Sequence, residues 1–293
     1  MAPVLFLIFN RPNQTRIVFE QIRLAKPSKL FVAADGPRKN KKGDKELCEQ
    51  TRNILQLIDW DCEVKTFFRS ENLGCGKAVS SAIDWFFSNV EEGIILEDDC
   101  LPNQSFFAFC EEMLRYYGDD NTVMHIGGTN FQNGVKRGEG TYYFSRYSHV
   151  WGWATWKSRW QLYDFSLQKY NSFSNDDLSI GLIRLLNSVK NNEIDTWDIQ
   201  WFMSVWFNKG LAITPNVSLI KNIGYGHEAT HTNKIPFWLK FVHLGELNII
   251  EHPLKKEVDK DADRFVENAL FQYRNNFLIN YLKKIYKRIK RQY

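Results

Sequence analysis

Apolar runs alternate with helix-forming segments over the first 127 residues, and this alternation limits the possible folds more than any other feature. Five runs rich in Val, Ile, Leu and Phe predict strands at residues 3–9, 29–34, 63–68, 93–96 and 122–126. Apolar residues three and four positions apart predict helices at 13–25, 44–58, 77–90 and 103–117, with Asn13, Asp44 and Asn103 as N-caps of three of them. This alternation is typical of a mostly parallel sheet flanked by helices, so we expect an α/β fold.

The alternation stops after about residue 128, where the composition changes. A glycine-rich stretch at 127–140 leads into an aromatic-dense segment at 142–163, and seven of the ten tryptophans lie between Trp151 and Trp206. No internal repeat or low-complexity linker separates the two halves. We therefore expect one continuous unit of two lobes, residues 1–128 and 129–235, followed by a C-terminal extension at 236–293.

Composition excludes several classes of protein and gives a first indication of location. With 293 residues, 44% hydrophobic and 25% charged, the chain is neither disordered nor a disulfide miniprotein. Its five cysteines contain no CxxC pair and no clustered histidines accompany them, so we expect reduced thiols in a cytoplasmic protein rather than a zinc site. The apolar run at 3–9 is too short to span a bilayer and lacks a preceding basic residue, which favours a strand over a signal peptide.

The C-terminal 26 residues differ in charge from the rest of the chain. They contain seven basic residues and no acid, so without them the formal net charge of +4 becomes −3 for residues 1–267. Phe277, Tyr281, Ile285 and Ile289 fall on one helical stripe, which predicts a basic amphipathic helix. We expect such a helix to bind the anionic inner face of the cell membrane, or else to pack on its own domain or on a second subunit. An acidic body argues against a nucleic-acid partner.

Three adjacent carboxylates, Glu97, Asp98 and Asp99, follow the apolar run at 93–96. Ligands of open α/β sheets bind outside the carboxyl ends of the strands, so these acids are expected at the mouth of a site. Adjacent negative charges repel one another unless they share a cation, and a divalent metal can bridge a diphosphate. The alternative is that the acids cap the helix near Asn103 or lie in a solvated loop.

Further candidate residues follow the first two predicted strands. Arg11 can hold phosphate oxygens in a bidentate fork, and Asp35 can accept a hydrogen bond from a base N–H. A surface charge at Arg11 and a simple turn at Asp35 are the alternatives. The segment 72–77 is a glycine-rich loop that matches neither GxxxxGK[ST] nor GxGxxG, so its amides either approach a phosphate or form a tight turn.

The second half supplies a candidate general base and a candidate closing loop. Asp198 follows Trp197, and a carboxylate beside indole surface suits the removal of a proton from a sugar hydroxyl. The alternative makes Asp195 an N-cap, Asp198 an acidic first-turn residue and the nearby tryptophans part of the core. A glycine-punctuated loop that includes Gly226 follows a strand-like run at 217–220, and its histidines His227 and His231 are candidate phosphate or metal ligands. His125 is expected to be a buried core residue.

Together these motifs resemble the GT-A glycosyltransferases, specifically the N-acetylglucosaminyltransferase I family and its bacterial relatives in surface-glycan synthesis. The resemblance extends in order over about residues 2–232 and includes Asn10-Arg11, Asp35, Glu97-Asp98-Asp99, the segment 126–130, Gly152-Trp153, Trp197-Asp198 and the segment 218–231. It implies a GT-A, Rossmann-like mixed sheet, with a nucleotide-sugar-binding half at 1–128 and an acceptor half at 129–235. The eukaryotic members carry a membrane anchor and a luminal stem that this chain lacks, and the segment after about 235 has no match.

The resemblance also implies a role for each matching residue. Asp99 matches the direct ligand of Mn²⁺ or Mg²⁺, Glu97 and Asp98 match contacts to the ribose and donor sugar, and Asp35 matches the uracil contact. Arg11 matches a diphosphate contact, Asp198 the catalytic base, and the segment around Gly226 a loop that orders on donor binding. The expected activity is inverting transfer from a UDP-sugar, GlcNAc being one candidate, to a glycan or lipid-linked glycan. A non-catalytic sugar-binding or assembly protein and a sugar nucleotidyltransferase are the alternatives.

Overall fold

The computed structural model describes residues 1–171, 178–225 and 237–271, and most of its strands belong to one sheet. The strands are β1 (Val4–Ile8), β2 (Lys29–Ala34), β3 (Glu63–Phe68), β4 (Glu92–Glu97), β5 (Cys100–Pro102), β6 (Val123–Gly127), β7 (Tyr142–Ser145), β8 (Trp153–Trp156), β9 (Leu211–Pro215) and β10 (Ile220–Asn222). The α-helices are α1 (Pro12–Ala25), α2 (Asp44–Arg52), α3 (Cys75–Phe87), α4 (Gln104–Tyr116), α5 (Lys157–Trp160), α6 (Ile180–Lys190), α7 (Asp198–Phe207) and α8 (Lys260–Val266). Short 3-10 turns span Asn53–Leu57, Gln168–Tyr170 and Phe237–Phe241, and a π-helical turn spans Glu267–Phe271.

The main sheet has eight strands in the order β3-β2-β1-β4-β8-β6-β9-β7. The first four in this order are parallel, β8 runs antiparallel to both of its neighbours, and β7 runs antiparallel to β9. The chain moves outward from β1 to β3 and then returns to place β4 on the other side of β1. The strand order therefore reverses between β1 and β4, which makes their shared carboxyl end a topological switch point.

The side chains of β1 explain why the sheet is covered on both faces. All five of its residues are buried: Val4, Phe6 and Ile8 pack in a cluster with α1 and α4, whereas Leu5 and Leu7 pack with α3 and α7. Alternate residues of a strand point to opposite faces, so a continuous apolar run needs a cover on each side. The predicted mixed α/β sheet flanked by helices, Rossmann-like in arrangement, is thus confirmed.

Several element boundaries and caps differ from the predictions. Asn103 is confirmed as an N-cap, since its side chain accepts a hydrogen bond from the Phe106 amide. Asn13 is not a cap, because α1 already begins at Pro12, whose missing N–H suits the first turn. Asp44 is not a cap either: Gly43 precedes α2 in a left-handed conformation, and the Asp44 carboxylate pairs with Arg38.

Other corrections concern the lengths and positions of helices and strands. The predicted helix at 44–58 divides into α2 and the 3-10 turn Asn53–Leu57, and the helix predicted at 77–90 is α3, two residues earlier at its start. The strand expected at 217–220 is displaced toward the C-terminus: β10 spans Ile220–Asn222 and pairs with β5 outside the main sheet. Strands from both sides of residue 128 share the main sheet, and the lobe boundary itself stays a prediction.

The described part of the chain contains no helix with the length and hydropathy needed to cross a bilayer. The predicted basic amphipathic helix lies outside the described residues. All five cysteines are free thiols, as predicted.

Candidate functional site

An arginine and two aspartates meet at the switch point between β1 and β4. Arg11 directly precedes α1, and its Nη1 lies 2.8 Å from Oδ2 of Asp99 and 3.3 Å from Oδ1 of Asp98. The Phe9 amide, at the end of β1, donates to Oδ2 of Asp98 at 3.2 Å. The two neighbouring strands therefore deliver these groups to the same point, as the sequence predicted for parallel strand ends.

The carboxylate corner, formed by Glu97, Asp98 and Asp99, places three acidic groups beside one arginine, Arg11. Burial, together with repulsion from Asp99 and Asp98, raises the pKa of Glu97 well above its ordinary value, and Arg11 offsets this only in part. Burial and the charge of Asp99 also raise the pKa of Asp98. A nearby cation stabilises the ionised form of carboxyl groups whose pKa is raised by burial and by like charges.

A cavity of about 610 Å³ opens beside the corner. Arg11, Glu97, Asp98 and Asp99 are among its lining residues. The rest of the lining combines small or apolar residues, such as Leu7, Ala33, Phe67, Ala78, Val79 and Ala82, with the polar or charged residues Asp35, Arg38, Arg69, Asn72, Glu193 and Asp195. A site with an apolar part and a few convergent charged groups is the usual form of a small-molecule site.

Asp35 also lines the cavity, but its carboxylate is already engaged. Its two oxygens accept hydrogen bonds from the amides of Gly36, Leu73 and Gly74 and from Nδ2 of Asn72, at 2.8 to 3.2 Å. Burial raises the pKa of Asp35, which these backbone hydrogen bonds oppose. Asp35 thus holds the glycine-rich loop in place from the end of β2.

The amides of the glycine-rich loop, for which the sequence suggested contacts to a phosphate, already donate hydrogen bonds to carboxylates of the protein. The amides of Cys75 and Gly76 donate to the two carboxylate oxygens of Asp195, each at 2.9 Å. The expectation of Asp195 as N-cap of its own helix is wrong, because α7 begins at Asp198 with Trp197 in the cap position. Asp195 caps α3 instead, a role that no local pattern could reveal.

Asp198 is the first residue of α7, and its carboxylate accepts hydrogen bonds from Oγ1 of Thr196 and from the Ile199 amide. It is not among the residues that line the described cavity. Its charge nevertheless acts on two residues that do, because it raises the pKa of Glu97 and of Cys75. The Asp198 carboxylate is therefore within electrostatic range of Glu97 and Cys75.

The donor set of the corner fits a hard divalent cation. Its oxygens are carboxylates with an excess of negative charge, and Gly224 packs so closely that an added Cβ would lie 2.2 Å from Oδ2 of Asp99. Within residues 1–171, 178–225 and 237–271, no group of three or more His, Cys, Asp or Glu side chains is arranged to hold a metal ion. Mg²⁺ commonly uses one or two carboxylates and takes its other ligands from water and substrate phosphates, which this arrangement permits.

Some of the remaining predicted residues belong to the core, and the others lie outside the described part of the chain. Trp197 and Trp201 are buried, as the core alternative expected, and Nε1 of Trp201 donates to Nδ1 of His125 at 3.1 Å. His125 is also buried, which confirms its predicted place in the core, and burial lowers its pKa to about 3. Gly226, His227 and His231 lie outside the described residues.

Sequence reasoning missed two features of the site. Arg38 lines the cavity and is fixed by an ion pair between its partly exposed guanidinium and the buried carboxylate of Asp44. The available signal was a basic residue near an acidic helix start. Gly224 touches the Asp99 side chain, and its position two residues after β10 was the corresponding signal.

No family model and no curated protein matches the chain, so the resemblance to the N-acetylglucosaminyltransferase I family depends on the motifs alone. Among solved structures, HddC from Yersinia pseudotuberculosis is 11% identical, with a TM-score of 0.33 and coverage of 61% of this chain and 85% of its own. A 4-diphosphocytidyl-2C-methyl-D-erythritol synthase from Anaerococcus prevotii is also 11% identical, with a TM-score of 0.35 and coverage of 60% and 79%. An apo-UDP-glucose pyrophosphorylase is 10% identical, with a TM-score of 0.39 and coverage of 76% and 92%. Similarities at this level concern parts of the fold and do not specify an activity.

Proposed function

We propose that this protein is a nucleotide-sugar-dependent transferase, and more specifically a metal-dependent inverting glycosyltransferase. The observation that carries the proposal is the meeting of Arg11, Asp98 and Asp99 at the switch point, beside a cavity of about 610 Å³. Ligands bind in this crevice in open α/β sheets. A cavity whose lining combines apolar residues with charged groups suits a nucleoside joined to a diphosphate.

In this proposal the donor is a UDP-sugar, with UDP-GlcNAc as the first to test. The nucleoside lies against the wall formed by Asp35 and the loop that it holds. The diphosphate lies toward Arg11, and Glu97 and Asp98 face the ribose and the donor sugar. Asp99 holds Mn²⁺ or Mg²⁺, and His231 is the proposed second protein ligand. Gly226 and His227 belong to the loop proposed to close over the donor.

Arg11 maintains the geometry of the corner. Its guanidinium contacts both aspartates, so it limits their mutual repulsion and keeps the Asp99 carboxylate directed at the diphosphate end. When bound, the divalent cation neutralises the charge that develops on the departing nucleoside diphosphate. Asp198 accepts the proton of the acceptor hydroxyl as that oxygen attacks the anomeric carbon. We propose a glycan or lipid-linked glycan as acceptor.

Sugar nucleotidyl transfer is the second candidate, because carboxylates that bind a cation beside a nucleotide also serve that reaction. It requires a cradle for a triphosphate, usually built from free backbone amides. In the glycine-rich loop, the amides of Leu73, Gly74, Cys75 and Gly76 are bound to Asp35 and Asp195. Because these four amides are not free to bind a triphosphate, the arrangement of the loop supports a diphosphate donor. A sugar-binding protein without catalysis is a third candidate.

The products decide among these candidates. The purified protein is first screened by thermal shift against nucleotide sugars with Mn²⁺ or Mg²⁺, because a ligand of the native state raises its melting temperature. Hydrolysis or transfer of the stabilising donor should release the nucleoside diphosphate, whereas pyrophosphate on incubation of a sugar phosphate with a nucleoside triphosphate would indicate nucleotidyl transfer. If neither product forms, the result supports the third candidate, a sugar-binding protein without catalysis.

Two variants test the assigned roles. Asp99→Asn should abolish metal-dependent donor binding, and Asp198→Asn should bind the donor normally but lose turnover. Near-normal turnover in Asp198→Asn would show that another group is the base.

A further inference from the structure

The carboxylate of Asp195 joins two parts of the chain that are 120 positions apart. Its oxygens accept the amide hydrogens of Cys75 and Gly76 at 2.9 Å each. These are the first amides of α3, and the carbonyls of the helix itself cannot satisfy them. Asp195 therefore caps α3 from the second half of the chain, at the rim of the cavity.

Two glycines make room for this carboxylate. Gly74 has a φ of +83°, and a Cβ added there would lie 2.4 Å from Oδ2 of Asp195. A Cβ added at Gly76 would lie 2.7 Å from Oδ1. On its other side the same loop is held by Asp35. One wall of the cavity is thus fixed between two carboxylates.

The segment that carries Asp195 also carries Asp198. Thr196, directly after Asp195, donates its hydroxyl hydrogen to the Asp198 carboxylate, and its carbonyl accepts from Nε2 of Gln200 at 2.8 Å. These hydrogen bonds, together with the peptide bond between Asp195 and Thr196, connect the start of α3 with the first turn of α7. A shift of the cavity wall would displace Asp198, and the reverse is also true.

We propose that Asp195 is a positioning residue that sets the cavity wall and the general base relative to each other. The proposal rests on the proposed function, since it assigns Asp195 to the donor site and to the placement of Asp198. Loss of Asp195 should weaken donor binding through the freed loop and slow turnover through the displaced base. Neither effect requires Asp195 to touch the reacting atoms.

The test uses the full-length protein with Mn²⁺, UDP as binding probe and UDP-GlcNAc as hydrolysis probe. Asp195→Ala should raise the Kd for UDP about tenfold, or about 1.4 kcal/mol, and lower kcat for hydrolysis by a similar factor. Alkylation of Cys75, whose side chain is exposed, should become faster, because Asp195 is one of the neighbouring carboxylates whose charge raises the pKa of this thiol. Asp195→Asn, which keeps one acceptor oxygen, should recover part of both losses.

Asp259→Ala is the matched control. Asp259 caps α8, and its carboxylate likewise accepts two amides, from Asp261 at 3.1 Å and Ala262 at 2.8 Å. Both alanine variants should lose similar stability, but only Asp195→Ala should change the Kd and kcat. If the two variants behave alike toward UDP and UDP-GlcNAc, Asp195 is merely structural. If the wild type itself binds no UDP with Mn²⁺, the proposed function fails first, and the two failures are thereby distinguished.

Discussion

Gly224→Ala would displace the Asp99 carboxylate without removing any chemical group from the site. An alanine Cβ at this position would lie 2.2 Å from Oδ2, 2.9 Å from Cγ and 3.0 Å from Cβ of Asp99. Since ordinary contacts begin near ~3.4 Å, the carboxylate would have to move by about 1 Å. The ion pair of Arg11 with Asp99, at 2.8 Å, is the contact most directly affected.

The size of the effect follows from the precision that a metal site needs. Ligand distances are held to within about 0.2 Å, so a displacement of about 1 Å removes Asp99 as an effective ligand. We expect UDP affinity in the presence of Mn²⁺ to fall roughly 10- to 100-fold, or about 1.4 to 2.7 kcal/mol. The strain should also lower stability by about 1 to 3 kcal/mol, as overpacking does elsewhere.

Isothermal calorimetry with UDP, with and without Mn²⁺, measures this loss. Gly210→Ala is the control, because its Cβ would lie 2.4 Å from Sδ of Met124, in the core and away from the cavity. Both variants should melt at lower temperature, and only Gly224→Ala should lose the contribution of Mn²⁺ to binding. Wild-type affinity in Gly224→Ala would refute the assignment of Asp99 to the cation.

Three further predictions concern stability and location. Hydrogen bonding and ion pairing with Arg38 lower the pKa of Asp44 to about 2, so this carboxylate stabilises the fold above pH 4 and the benefit is lost as pH falls through about 2. Chemical denaturation should show Asp44→Asn about 2 kcal/mol less stable at pH 7, with the difference shrinking below pH 4. Trp201→Phe should lower the melting temperature through loss of its bond to His125 but leave UDP affinity unchanged, which calorimetry checks. Full-length protein should float with anionic vesicles, and a variant with glutamates at Lys283, Lys284, Lys287 and Lys290 should not; equal flotation would exclude membrane binding by this segment.

The part of the site built on parallel strands could be predicted because it depends on local sequence. Apolar runs fix where β1 and β4 lie, and polar residues that follow such runs must emerge at the same edge of the sheet. The meeting of Arg11 with Asp98 and Asp99 follows from these two statements. The same reasoning places Asp35 beside them, at the end of β2.

The part built on loops could not be predicted, because its contacts join distant positions. An acid before a helix normally caps that helix, which predicts Asp195 as a cap of α7 in one of the two alternatives, whereas three-dimensional packing brings it to α3. Asp44 was similarly assigned as a cap, although its carboxylate is used by Arg38. In both cases a short polar side chain had several possible partners, and only the packing of the surrounding elements selects one.

The charge balance of the corner connects stability with the proposed function. A protein under selection for stability alone would gain by replacing one of three crowded carboxylates, because Glu97 and Asp98 are held with raised pKa values by burial and mutual repulsion. Arg11 supplies one positive charge, which cannot balance Glu97, Asp98 and Asp99 together. A divalent cation that binds these oxygens would relieve the repulsion and stabilise the native state even without a nucleotide. Mn²⁺ alone should therefore raise the melting temperature of the wild type more than that of Asp99→Asn, and equal shifts would place the cation elsewhere.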